Sequence, residues 1–168
     1  FLRALLALPF LFAIMRIKKI PIFPQKGELL FLIGGGIFSA ATVQLLYASY
    51  RYIDVGIATT LHFSYPLIVL LISIIFFKEP PQFIKILSLF LGTAGIIILS
   101  DLSSSLSLAG ILLSTLSAFT FAGKILLLGQ SRLNKISSIK TAFYFCIVEV
   151  YIGLSIGIPQ GKIIFVFT

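Results

Sequence analysis

Cysteine and histidine each occur once in the 168 residues, as Cys146 and His62. A single cysteine excludes an internal disulfide and a metal framework built from cysteines. Only five side chains are acidic, and one of them, Glu149, lies deep inside an apolar segment. Neither a zinc ligand set nor a pair of catalytic carboxylates can be assembled from these residues. We therefore expect no catalytic residue, no metal and no cofactor.

Charged residues are also scarce, since 59% of the chain is hydrophobic and 11% is charged. Soluble domains are about a quarter charged, so this composition requires lipid as a solvent. The net charge of +8 could suit nucleic acid, but the basic residues lie in short breaks between long apolar runs. We exclude a nucleic-acid partner and expect an integral, multi-pass protein of the cell (plasma or inner) membrane.

The apolar runs have the length of membrane-spanning helices, which need about 20 residues each. They lack the alternation typical of a membrane barrel. The sequence therefore predicts an all-α, polytopic transmembrane helix bundle. Its six predicted helices are 1–15, 29–50, 55–77, 83–100, 108–129 and 141–158. Both ends of the chain fall inside apolar runs, so we expect both to be cut.

Lysine and arginine are unevenly distributed over the breaks between these helices. Breaks rich in Lys and Arg belong on the cytoplasmic side of a membrane. We therefore predict that 16–28, 78–85 and 130–140 are cytoplasmic and that 51–54 and 101–107 are external.

Small residues recur at four-residue spacing, which lets helices approach closely in lipid. These residues are Gly110, Ser114, Ala118 and Ala122; Ser88 and Gly92; Gly36 and Ala40; and Gly153 and Gly157. The spacing predicts a closely packed bundle.

The stretch YIDVGIATTLHFSYPLIVLLISIIFFKEPP, followed by GTAGIIILSD, resembles the EamA family of the drug/metabolite transporter superfamily. The matching features extend over nearly the whole chain. They are Arg3, Ala58, Tyr65-Pro66-Leu67, Glu79-Pro80, Ala94-Gly95, Gly110 and Phe121-Ala122. The sequence departs from the family pattern at three positions: Phe121 replaces a common Trp, Ser88 a common Gly, and His62 a usual apolar residue.

The resemblance implies ten helices in two inverted five-helix repeats. The six predicted helices would then be the second to the seventh. Residues 1–100 would form the first repeat without its first helix, 101–107 an external linker, and 108–168 the truncated start of the second repeat. The family's cytoplasmic N-terminus agrees with the orientation read from Lys and Arg.

Glu149 and Lys124 are charged residues well inside predicted helices. A charge near the bilayer centre costs a few kcal/mol, so Glu149 indicates either a translocation role or a buried, protonated structural carboxyl. Lys124 lies about 7 Å from the cytoplasmic end of its helix. Its side chain can extend to that interface or pair with Glu149, and the sequence favours neither.

A second group of polar side chains lies in the outer halves of the second and third helices. Gln44 and Tyr47 share one helical face, as do Thr59, His62 and Pro66. The resemblance places Arg3 near the same level. Such a cavity would hydrogen-bond a polar or amino-acid-like metabolite. His62 is alternatively an interhelical donor, and Pro66 alternatively a simple packing bend.

These observations predict a secondary transporter, with import or export left open. The predicted substrate and translocation residues are Glu149, Lys124, Gln44, Tyr47, His62, Thr59, Pro66 and Arg3. The expected partners are a small polar or amino-acid-like molecule, the lipid bilayer and a coupling proton. An intramembrane enzyme completed by further helices, or a non-transporting assembly or sensor subunit, are the alternatives. The oligomeric state is not predicted.

Overall fold

A computed structural model of the protein describes residues 2–24, 27–78, 86–87, 90–91, 94, 107–129 and 136–157, and most of these residues are helical. Its helices are α1 (Leu2–Ile17), α2 (Glu28–Ser49), α3 (Val55–His62), α4 (Tyr65–Phe77), α5 (Leu108–Gly129) and α6 (Ser138–Gly157). Those residues contain no strand. The predicted helix 83–100 lies almost wholly outside them, as does the predicted linker 101–107.

Within the described ranges, four segments are long and apolar enough to cross a membrane. They are Glu28–Ser49, Val55–Phe76, Leu108–Gly129 and Ser138–Ser155. The predicted helices 29–50, 108–129 and 141–158 agree with α2, α5 and α6 within three residues at each end. The prediction of an all-α membrane bundle is therefore confirmed.

The predicted helix 55–77 is interrupted in the structure. Asp54 caps the start of α3, because its carboxylate accepts a hydrogen bond of 2.7 Å from the Gly56 N–H. The helix ends at His62, and α4 begins at Tyr65 with Pro66 in its first turn. Proline fits there because it has no N–H to donate to the preceding turn. Phe63 and Ser64 keep near-helical backbone angles, with φ −68° and ψ 1° at Phe63 and φ −72° and ψ −8° at Ser64. Pro66 therefore follows a two-residue interruption within one span.

The described helices belong to two compact units. The first unit contains α1, α2 as far as Ala40, and α6. The second unit contains α2 from Ala41, α3, α4, and α5 as far as Leu126.

In the first unit, α1 packs along α6, and α2 approaches α6 through its glycines. A methyl group added at Gly36 would lie 2.8 Å from the Val148 Cβ, and one at Gly35 would overlap the Phe145 ring. Leu32 is fully buried next to Ile136. Close packing at Gly36 agrees with the sequence prediction.

In the second unit, the small-residue face of α5 is buried. Gly110, Ser114, Ala118 and Ala122 are all buried, as the four-residue spacing predicts. A methyl group at Gly110 would lie 2.7 Å from the Ile53 Cγ2. Ile53 in turn belongs to a cluster with Ile57 and Ala58 of α3. The small side chains therefore allow α5 to pack tightly on α3 and on the turn before it.

Burial in this protein does not follow the pattern of a water-soluble domain. The buried side chains are largely small or polar, and they include Thr42, Ser49, His62, Ser114, Ser117, Lys140, Thr141 and Glu149. The exposed side chains include many large apolar ones, such as Phe10, Leu30, Ile75, Leu112 and Tyr151. Lipid accepts such a surface, whereas water does not.

Within each unit, contacts join segments between helices that the distribution of Lys and Arg assigns to the same side of the membrane. In the first unit, the Tyr144 hydroxyl of α6 donates to the Ile22 carbonyl at 3.0 Å, so the break 16–28 lies beside the start of α6. In the second unit, Ile53 packs against Gly110 at the start of α5. The assignment of either side to the cytoplasm remains a prediction.

Alanine at Gly36 is expected to destabilise the full-length protein by about 1–3 kcal/mol more than alanine at Gly34. Overpacking costs about that much, and the helix propensity gained by either change cancels in the comparison. The Gly34 methyl would meet Leu127 only at an ordinary 3.7 Å, whereas the Gly36 methyl meets the Val148 Cβ at 2.8 Å. Thermal unfolding in detergent measures the difference. Equal stability of the two variants would show that α2 and α6 do not pack this closely.

Candidate functional site

Glu149 forms an ion pair with Arg3 inside the first unit. The Arg3 Nη2 lies 3.0 Å from Oε1 and 3.4 Å from Oε2 of Glu149. The Glu149 side chain is only 8% exposed, whereas that of Arg3 is 72% exposed. Because α1 packs along α6, the first turn of α1 brings a cation to a carboxylate 146 residues away in the chain.

The Arg3 guanidinium keeps donors beyond those that Glu149 accepts. A guanidinium carries five N–H groups in a planar fork, and both contacts with Glu149 come from Nη2. Among the described residues, Nε and Nη1 of Arg3 make no hydrogen bond. A planar anion such as a carboxylate matches the geometry of these remaining donors.

His62 is the centre of a second polar cluster, which lies in the second unit. It is the last residue of α3 and is 7% exposed. Its Nδ1 lies 2.9 Å from the Ser117 hydroxyl of α5. Ser114, one turn earlier on α5, donates to the Ala58 carbonyl of α3. Two hydroxyl groups of α5 thus connect it to α3, directly before the break at Phe63 and Ser64.

Aromatic rings surround the other side of this cluster. The Phe121 ring lies edge-on to His62 at 5.3 Å between centroids and to Tyr65 at 4.4 Å. The Lys124 ammonium lies 3.9 Å from the centre of the same Phe121 ring. This distance is that of a cation–π interaction. His62 and Lys124, both predicted site residues, therefore contact one shared ring.

Among the described residues, no hydrogen bond or ring contact joins the side chains of the other predicted residues of the second unit to this cluster. The Thr59 hydroxyl donates to the Val55 carbonyl of its own helix at 2.5 Å. Tyr47 is 56% exposed, and its ring contacts Tyr50 at 5.6 Å. Gln44 is half-buried on α2. Pro66 lies in the first turn of α4, immediately after the break.

The profile of the EamA-like transporter family matches residues 1–101. The chain belongs to this family. No curated protein and no solved structure matches the chain. Members of the EamA-like family are transporters of the drug/metabolite type, so the protein is a multi-pass membrane transporter rather than a member of an enzyme family.

The match divides the candidate residues of this EamA-family chain. Arg3, His62 and Pro66 lie inside it, whereas Lys124 and Glu149 lie beyond residue 101. Each of the two clusters thus joins a residue inside the matched region to a residue outside it.

Sequence reasoning missed a row of hydroxyl groups on α5. Ser114, Ser117 and Thr120 follow one another at three-residue spacing, and the first two are fully buried. Thr120 lies 3.0 Å from the Thr42 hydroxyl of α2. The four-residue spacing of small residues predicts only a packing role for Ser114. The three-residue spacing of hydroxyl side chains in an apolar helix was the signal that could have identified the row.

A second missed feature is the buried ion pair between Lys140 and Glu28. The Lys140 Nζ lies 2.8 Å from the Glu28 Oε2 and 3.1 Å from the Phe23 carbonyl oxygen. The Lys140 side chain is 4% exposed and that of Glu28 21%. The distribution of Lys and Arg predicts only that Lys140 lies on the cytoplasmic side. No pattern near Lys140 in the sequence indicates an ion-pair partner 112 residues away.

Proposed function

We propose that this EamA-family protein is a secondary transporter of a small amino-acid-like compound, and that Arg3 and Glu149 bind its anionic group and a coupling proton. The observation that carries the proposal is the Arg3–Glu149 ion pair, in which the carboxylate is 8% exposed and the guanidinium 72%. A carboxylate inside a membrane helix is costly and calls for a function or a partner.

The pair supports a simple exchange. While Glu149 is ionised, its two oxygens accept hydrogen bonds from the Arg3 Nη2. When Glu149 takes up a proton, its attraction for the guanidinium weakens, and Arg3 becomes free for a carboxylate of the substrate. The planar fork of arginine binds a carboxylate through two parallel hydrogen bonds. Substrate binding then requires a proton on Glu149.

This linkage sets the direction of coupling. Since proton and substrate occupy the site together, they cross the membrane in the same direction. An inward proton gradient would therefore drive uptake. The resemblance is also compatible with export. Export driven by the same gradient would require that proton and substrate exclude each other at the site. The effect of outer acidification on substrate entry, an increase or a decrease, distinguishes shared from exclusive occupancy.

The test is counterflow in liposomes that contain the full-length protein. Each of the twenty L-amino acids is used in turn as a radiolabelled probe, and protein-free liposomes are the control. At least one amino acid is expected to accumulate, and acidification of the outer medium should increase its entry. Failure of every amino acid to accumulate would contradict the substrate class. Accumulation that outer acidification slows would contradict the shared occupancy of proton and substrate.

A further inference from the structure

The single histidine of the chain has a neighbour that fixes where its ring proton lies. The Ser117 hydroxyl lies 2.6 Å from the Ser114 carbonyl oxygen and 2.9 Å from the His62 Nδ1. A serine hydroxyl has one hydrogen and two lone pairs, and a carbonyl oxygen can only accept. The hydroxyl hydrogen therefore points to the Ser114 carbonyl.

This arrangement determines the tautomer of His62. Because the Ser117 hydroxyl donates to Ser114, its oxygen must accept from His62, and Nδ1 must carry a hydrogen. In a neutral imidazole the other nitrogen, Nε2, is then a hydrogen-bond acceptor. Ser117 itself is fully buried. Among the described residues, Nε2 makes no hydrogen bond.

We infer that Ser117 is a positioning residue that holds His62 as the Nδ1–H tautomer, so that Nε2 accepts a hydrogen bond from a neutral N–H or O–H group of the transported compound. A buried acceptor without a partner is costly, so a ligand donor fits this position. His62 also lies at the break before α4, and transporter binding sites are commonly built at interrupted helices.

The charge of Lys124 determines which donor fits. Its ammonium lies 3.9 Å from the centre of the Phe121 ring, the same ring that His62 contacts edge-on. A second cation at this ring would be repelled, whereas a hydroxyl or an amide would not. The donor group is therefore neutral. The compound that binds at His62 therefore offers a hydroxyl or an amide N–H.

The tautomer is tested on the full-length protein in lipid by nitrogen NMR after selective ¹⁵N-histidine labelling. The signal of His62 is the one that disappears in His62→Gln, which separates it from the signals of any further histidine in the full-length protein. The two ring nitrogens give different signals when protonated and unprotonated. The expected spectrum shows Nδ1 protonated and Nε2 unprotonated. A spectrum with Nε2 protonated and Nδ1 unprotonated would overturn the proposal.

Three variants test the role of Ser117. Ser117→Ala is expected to shift the tautomer ratio towards Nε2–H by about three- to fifteenfold, the equilibrium effect of one interhelical hydrogen bond in a membrane. Ser117→Thr keeps the hydroxyl and should retain the wild-type ratio. The control is Ser155→Ala, which removes an exposed hydroxyl that bonds its own helix at Tyr151. An unchanged ratio in Ser117→Ala would exclude a positioning role.

The donor requirement is tested with two neutral probes of similar shape. Acetamide has N–H groups, whereas N,N-dimethylacetamide has none. Only acetamide should shift the Nε2 signal of wild-type protein, and the shift should be smaller in Ser117→Ala. A response to both probes, or to neither, would overturn the assigned substrate class. This inference about the substrate class rests on the proposed transport function. The NMR signals do not require transport, so the inference and the proposed function can fail separately.

Discussion

Replacing Glu149 by glutamine is expected to abolish the response of transport to a pH gradient and to lower the flux about tenfold or more. Glutamine keeps the size of the side chain but can neither take up a proton nor hold a charge opposite Arg3, whose Nη2 lies 3.0 Å away. When one proton crosses with each substrate molecule, an inward pH difference of one unit drives about tenfold accumulation, and glutamine removes this contribution. Net uptake of the amino acid that the wild type transports, measured with and without an inward pH difference of one unit, gives both effects.

The double variant Arg3→Gln with Glu149→Gln separates transport from structure. If the pair only neutralises a buried charge, removal of both charges should restore the flux that the single variant loses. If Arg3 binds the substrate, the double variant should remain inactive. Normal expression of Glu149→Gln with wild-type flux and wild-type pH response would reduce Glu149 to a structural residue.

Replacing Lys140 by methionine should destabilise the full-length protein by about 3 kcal/mol. Removal of one partner of a buried ion pair costs about 3–5 kcal/mol, and the lower end applies because Glu28 is 21% exposed and partly hydrated. The change also deprives the Phe23 carbonyl of the donor that now lies 3.1 Å away. Thermal unfolding in detergent gives the loss.

Two further variants make this measurement specific. Lys18→Met removes an exposed lysine from the neighbouring turn and should leave the stability nearly unchanged. Lys140→Met combined with Glu28→Met should lose less than Lys140→Met alone, because apolar side chains replace a buried pair with little cost. A Lys140→Met variant as stable as Lys18→Met would show that the ion pair contributes nothing.

The helices could be predicted from sequence because an apolar run long enough to cross the membrane is sufficient to identify each of them. Helix 108–129 coincides with α5, and the small-residue spacing identified the face that α5 buries. The break after His62 was only half predicted. Pro66 indicated an irregularity, but the turn at Phe63 and Ser64 depends on local hydrogen bonds, such as that from the Ser64 hydroxyl to the Leu61 carbonyl at 2.6 Å.

Pairing between distant side chains could not be predicted in the same way. No pattern in the sequence indicates the register between α1 and α6, so the pairing of Arg3 with Glu149 is not predictable from it. The resemblance places Arg3 only near the level of the polar residues in the outer halves of the second and third predicted helices. Periodicity identifies which residues share a helical face, but it does not say which faces meet. The hydrogen bond between His62 and Ser117 depends on the same missing information, since the two residues are 55 positions apart.

The interruption after His62 affects how this part of the chain enters a membrane. The hydrocarbon core is about 30 Å thick, whereas eight residues of α3 extend about 12 Å and thirteen of α4 about 20 Å. Neither helix crosses alone, but the segment Val55–Phe76 is apolar enough as a whole. The insertion machinery must therefore recognise it as one span, and the turn at Phe63 and Ser64 becomes tolerable only after other helices shield its backbone from lipid. Folding of this span thus follows its insertion and depends on the neighbours that arrive later.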